Sequence, residues 1–147
     1  MSAPDKRILA FIKKHHVLTL ATTIGNEPYC AQCFYAFDSK NNRVICSSDF
    51  STRHAKEALK NKLVAGGIVL ETKTVGKIQG LQFQGLMTPL TKEALTEGRK
   101  IYLKKFPYAM LMDTTLWEIR FSFFKFTDNN LGFGKKLIWE DKTLLHI

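Results

Sequence analysis

At 147 residues the chain has the length of one domain built around one core, so a complete site is expected to borrow residues from a second subunit. Hydrophobic residues at 45% and charged residues at 24% exclude a disordered polypeptide. The 22 Lys plus Arg against 13 Asp plus Glu give a net +9, which favours anionic partners such as phosphorylated cofactors, nucleic acids or acidic membrane surfaces without choosing among them.

Ser2-Ala3-Pro4-Asp5 reads as a helix start, with Ile8, Leu9, Phe11 and Ile12 at helical spacing and Lys13, Lys14, His15 and His16 in the last turn. Val17 to Ile24 predicts a strand, Gly25-Asn26-Glu27 a turn, and Pro28 to Phe37 the second strand of a hairpin. After the turn cluster Asp38 to Asn42, Arg43 to Ser48 predicts a third strand that becomes polar at its end. Ser51 then caps a helix whose first turn is Thr52-Arg53-His54 and whose apolar side carries Ala55, Ala58 and Leu59. Leu63 to Leu70 is apolar and interrupted by glycine, and Lys77 to Leu90 predicts a long strand bent at Gly80 or Gly85. Thr91 caps a helix to about Lys105, with Leu95, Tyr102 and Phe106 on one side and Pro107 as the stop. From Leu116 to Phe124 the alternation puts Trp117, Ile119, Phe121 and Phe123 on one face. A loop from Thr127 to Lys136 and a short strand Leu137-Ile138-Trp139 close the chain. Strands outnumber helices and do not alternate with them, so a single α+β domain spanning residues 1–147, an antiparallel barrel, is expected rather than a doubly wound parallel sheet. No apolar run approaches the ~18–20 residues that cross a bilayer, and Met1 to Lys14 lacks a leader's apolar stretch, so neither export nor membrane insertion is expected.

The strongest chemical signal is Ser47-Ser48-Asp49-Phe50-Ser51-Thr52-Arg53-His54, where a polar strand end runs into a helix start. Unpaired N–H groups, the positive end of the helix dipole and an arginine fork together suit a phosphate; the plain alternative is an ordinary cap beside a solvated arginine. Cys30-Ala31-Gln32-Cys33 has the spacing of a redox or zinc motif, but on a strand the two thiols point to opposite faces and no second ligand pair exists, so packing cysteines are expected. Three cysteines form no disulfide framework, which favours a reducing, cytoplasmic setting. Gln79, Gln82 and Gln84 place amides along one strand, either facing a polar partner or facing water. Lys135 and Lys136, in Gly132-Phe133-Gly134-Lys135-Lys136, could close over a phosphate or substrate or simply form a charged turn. No Ser-His-Asp or paired-carboxylate arrangement stands out, so any chemistry falls to a cofactor.

The Pro28-Tyr29 strand start, the Val44 to Ser48 strand and Thr52-Arg53-His54-Ala55 together resemble the pyridoxamine 5′-phosphate oxidase-like FMN-binding split barrels over nearly the whole chain. Thr52-Arg53-His54-Ala55, Trp117-Glu118-Ile119-Arg120 and Lys125 to Lys136 look like the YhbP-type subgroup of small bacterial proteins. The resemblance implies an antiparallel split β-barrel with flanking helices, and a homodimer with FMN at the subunit interface. It maps an Arg-Lys phosphate grip onto Arg53 and His54, with Thr52 and Ser51 beside them. It maps ring contacts onto Ser47, Ser48, Gln32, Cys33 and Phe34, with Gln79, Gln82, Trp117 and Lys135 completing the expected cofactor contacts. Two positions depart from the oxidases: their second-strand arginine falls near Ala31, and their ring glutamine near Gly80. The C-terminal Leu144-Leu145-His146-Ile147 replaces their arginine-rich substrate segment, so pyridoxal phosphate synthesis is not expected. The implied activity is FMN-dependent redox chemistry on a small molecule. The alternative is a non-catalytic sensor for haem or a flavin relative. Nucleic-acid binding ranks third, since no recognition helix or aromatic RNA-binding motif accompanies the charge.

Overall fold

The computed structural model describes residues 2–113 and 115–144. Helix α1 (Lys6–Lys14) is capped by Asp5, whose carboxylate accepts the Arg7 N–H at 2.8 Å. Ile8, Phe11 and Ile12 point inward at the i, i+3, i+4 spacing, while His15 lies just past the last turn as the C-cap. Strands β1 (Val17–Ile24) and β2 (Glu27–Asp38) form a hairpin closed by Gly25 and Asn26, with φ of 55° and 64°. Two positive φ values in a two-residue loop match the twist of the flanking strands, which is why Gly-Asn sits there.

The remaining elements follow in the anticipated order: β3 (Arg43–Ser47), α2 (Arg53–Lys60), β4 (Leu63–Val69), β5 (Gln79–Pro89), α3 (Lys92–Lys105), β6 (Leu116–Asp128) and β7 (Lys136–Glu140). The sheet runs β3-β2-β1-β4-β5-β6-β7, every pairing is antiparallel, and β3 also pairs with β6. Six strands therefore close into a barrel and β7 extends it at one edge. This is the α+β split barrel expected from the resemblance. Trp117, Tyr35, Phe83, Phe121, Phe124 and Phe126 fill its interior, and α1 seals one end through Phe11 against Phe126. Helix α3 packs outside, where Tyr102 covers a second cluster of Ala36, Ile45, Leu90 and Leu116.

Several local expectations are corrected. The alternation on β6 breaks at a bulge opposite Gln84 and Gly85, so Phe121 and Phe124 point inward, and Phe123 does not share the face of Trp117. A Cβ on Gly85 would stand 2.5 Å from the Arg120 carbonyl oxygen, so the bulge admits only glycine there. Leu59 is exposed rather than part of the apolar side of α2, which buries only Ala55 and Ala58. The cap of α2 is Thr52, not Ser51, and Thr91 occupies the cap position of α3 without a side-chain hydrogen bond. β5 starts at Gln79 after a single 3-10 turn at Val75–Lys77, and β6 runs to Asp128, which shortens the expected loop before β7.

Candidate functional site

The start of α2 gathers the expected polar groups, although unequally. The Thr52 hydroxyl accepts from the Ala55 N–H at 3.3 Å and donates to the Asp49 carbonyl at 2.8 Å. Ser51 stays outside the helix and exposed, its backbone N–H held by the Asp49 carboxylate at 2.8 Å. Ser48 is buried; its carbonyl accepts from Trp117 Nε1 at 2.9 Å, and its Oγ lies 2.8 Å from His54 Nε2 and 3.8 Å from Cys33 Sγ. Burial holds the His54 imidazole below its ordinary pKa, so neutral His54 is the form this corner favours.

Arg53 reaches the surface instead. Its Nε donates to Glu57 at 2.9 Å and its Nη2 to Glu27 at 3.1 Å, and the guanidinium lies 4.2 Å from the centre of the Tyr29 ring. The two carboxylates, Glu57 first, raise its pKa. Glu27 is itself three-quarters exposed, so its hold is weak and an incoming dianion can displace it.

β2 pairs with β3 only from Tyr35 to Asp38, so residues 32–34 present one edge with no strand beside it. A groove of about 490 Å³ opens along that edge, lined by Gln32, Cys33, Phe34 and Ser47 together with Tyr102, Phe106, Tyr108, Ala109 and Met112. Its size falls in the range of about 300–1,000 Å³ usual for small-molecule sites, and four of its nine lining residues are aromatic. Four residues assigned to a cofactor ring are thus brought together, one residue from the α2 corner.

Gln32 also borders a second groove of about 620 Å³ on the outer sheet face, shared with Thr19, Gln79 and Gln82. Gln32 Nε2 donates to Thr19 Oγ1 at 2.9 Å, and Gln79 Nε2 to Asp128 Oδ2 at 3.1 Å. Gln84 faces a separate depression beside Ala21 and Leu63. Two assigned residues stand apart. Trp117 is fully buried, where it holds the Ser48 carbonyl and packs on Phe50 without lining either groove, and Lys135 sits on the exposed turn before β7. Cys30 is exposed and Cys33 buried, as divergent faces require.

The wall supplied by Tyr108, Ala109 and Met112 was missed. It belongs to a 3-10 segment (Pro107–Leu111) and the residue after it, where apolar side chains follow no helix or strand period. The signal in the sequence was the apolar run Tyr108-Ala109-Met110-Leu111-Met112, which fits neither period; in the structure Tyr108, Met110 and Leu111 are 74%, 66% and 89% accessible.

No family model matches the chain. It is 36% identical to a UPF0306 protein of Yersinia pestis over 141 residues, covering 95% of the chain and 96% of that protein. It is 41% identical over 129 residues to the UPF0306 protein YhbP of Salmonella schwarzengrund, covering 88% of each. The chain belongs to the UPF0306 family. Solved structures place the UPF0306 chain in the pyridoxamine 5′-phosphate oxidase-like split-barrel fold. A haem-binding protein from Mycobacterium smegmatis superposes with a TM-score of 0.75 at 15% identity over 95% of this chain, which spans 60% of that longer protein. A FAD-binding protein from Mesorhizobium loti gives 0.70 at 12% identity, over 86% of this chain and 94% of that one. A candidate pyridoxamine 5′-phosphate oxidase from Listeria innocua gives 0.64 at 17% identity, over 82% and 94%.

Proposed function

We propose that this UPF0306 chain binds FMN and works as a flavin-dependent oxidoreductase on a small planar molecule, as a cytoplasmic homodimer. One observation carries the reading: Gln32, Cys33, Phe34 and Ser47 meet four aromatic or sulfur-bearing side chains of the α3 region in one groove that adjoins the hydroxyls and imidazole at the start of α2. The ring half of the site fits a flavin. Phe34 and Phe106, with ring centres 5.9 Å apart, offer apolar faces, while Ser47 and Gln32 offer hydrogen bonds to a ring edge. The tail half fits with one exchange, since Arg53 would trade Glu27 for a phosphate oxygen. Ser51, Thr52 and His54 stand beside it. Gln79 and Gln82 line the second groove, and Lys135 lies on the exposed turn before β7.

Bound flavin would supply the two-electron step. The chain's own residues orient the ring, and Tyr102, Phe106 and Met112 keep water from one side of it. The names of a FAD-binding relative in fold and of a candidate pyridoxamine 5′-phosphate oxidase support a flavin over an unrelated ligand. Dimerisation is supported by apolar side chains around the groove mouth: Phe34, Tyr108 and Met112 are 60%, 74% and 59% exposed in the single chain.

The test is direct. Protein isolated from cells is expected to be yellow, to release FMN on denaturation, and to scatter light as a dimer; colourless protein that ignores added FMN overturns the reading. Flavin held tightly but never reduced by any nicotinamide donor would favour a sensor, a role to which the missing basic residue at Ala31 already lends weight. Haem is the other planar group this wall could take, as the name of the mycobacterial protein suggests.

A further inference from the structure

The groove wall holds a thiol whose nucleophilic chemistry the flavin reading does not call on. Cys33 is buried in the barrel yet lines the groove, because β2 has no neighbouring strand at residues 32–34. Its sulfur lies 3.8 Å from Ser48 Oγ, and that oxygen lies 2.8 Å from His54 Nε2. The three groups form a thiol, hydroxyl and imidazole chain running from the groove to the half-buried face of α2.

We infer that Cys33 is a nucleophile for planar conjugated electrophiles of the α,β-unsaturated carbonyl class, with Ser48 passing its proton to His54. The Cys33 S–H donates to Ser48 Oγ while Ser48 O–H donates to neutral His54 Nε2. Shifting both hydrogens leaves a thiolate that accepts from Ser48 and an imidazolium that donates to it. The thiolate then forms an S–C bond at the β-carbon of the electrophile. The C=C π pair moves toward the carbonyl as an enolate, water protonates the α-carbon, and His54 returns its proton to the hydroxide left behind. No oxidant or reductant is consumed.

One feature supports the direction of the transfer: hydrogen bonds from Cys46 and Ser48 lower the Cys33 thiol to about 7, outweighing the effect of burial. Burial leaves His54 neutral, so its Nε2 lone pair is open to the Ser48 hydroxyl, while the same burial makes the imidazolium a short-lived partner of the thiolate. The titratable groups that face Cys33 are Cys46 on β3, Tyr102 on α3 and, through Ser48, His54 on α2. The aromatic lining, Tyr102, Phe106 and Tyr108, selects a flat electrophile rather than a bulky one.

The proposal uses the same groove as the flavin reading but does not need the flavin. It is tested on the full chain carrying Cys30→Ser, which removes the exposed thiol, by following N-phenylmaleimide addition with peptide mass mapping across pH 5 to 9. Cys33 is expected to be labelled with a midpoint near 7 rather than the ordinary thiol value of about 8.5. Ser48→Ala and His54→Gln are each expected to raise the midpoint part of the way to that value, because the hydrogen bond from Cys46 remains, and so to slow labelling at pH 7 severalfold while leaving the rate at pH 9 nearly unchanged. Phe106→Ala should raise the half-saturating concentration of the maleimide. A Cys33 that is unlabelled in folded protein, or labelled with a midpoint of about 8.5, overturns the proposal without recourse to the variants. Protection of Cys33 by added FMN would report flavin in the groove; labelling that proceeds identically with FMN present counts against the flavin reading alone.

Discussion

Arg53 and His54 are neighbours in sequence with different surroundings. Arg53 is half-exposed and tied to Glu57 and Glu27, while His54 turns inward to Ser48. If Arg53 holds a phosphate, Arg53→Ala should weaken FMN binding by about 1.5–3 kcal/mol, the range for a lost charged hydrogen bond, whereas Glu27→Gln should strengthen it by releasing the competitor. Calorimetric titration of the two variants checks both signs. The motif was readable in sequence because hydroxyls and a cation at a helix start need no tertiary information. What could not be read there was that Arg53 pairs with Glu27, 26 residues earlier in the chain but on the neighbouring hairpin in space, since that contact depends on α2 crossing β1 and β2.

At the level of elements, the closure of the barrel rests on β3 meeting both β2 and β6. Arg43 spans that junction: its Nε donates to Asp38 at 2.8 Å and its Nη1 to Glu118 at 2.7 Å, all three largely buried. Arg43→Met should cost about 3–5 kcal/mol, because two carboxylates lose the cation they share in a poorly solvated place. Urea unfolding followed by tryptophan fluorescence measures it. Gly85→Ala should cost about 1–3 kcal/mol by forcing the bulge away from Arg120, readable in the same assay. Element order was legible because turn residues and strand periods are local signals. The face of Phe123 was not: one bulged residue at Ser122 reverses the alternation, and the sequence of β6 carries no mark of it.

For the whole molecule, burial lowers the pKa of His15 and of His54, with neighbouring cations adding to the effect at His15. A depressed folded-state pKa means that the neutral form belongs to the native state, so the stability involved is complete above about 6.5, the unfolded value, and is lost as pH falls through the lower folded values. Thermal unfolding midpoints should therefore fall between pH 7 and 5, and His54→Gln should flatten that slope; an equal slope in the variant would remove His54 from the account. No helix among the described residues is long and apolar enough to cross a membrane. The barrel was legible as a whole because its motifs resemble a known fold, whereas the groove was not, since its aromatic wall comes from a segment far along the chain that only folding brings against β2.

The most direct measurement is a titration of FMN followed by flavin fluorescence, run on the wild-type chain and on Phe106→Ala. The groove account predicts saturable quenching by the wild type and a clearly weaker affinity in the variant, from loss of an aromatic contact worth about 0.5–1.5 kcal/mol beyond its area. Saturable binding with the same affinity in both proteins would place the ring elsewhere, and no quenching at all would contradict flavin binding outright.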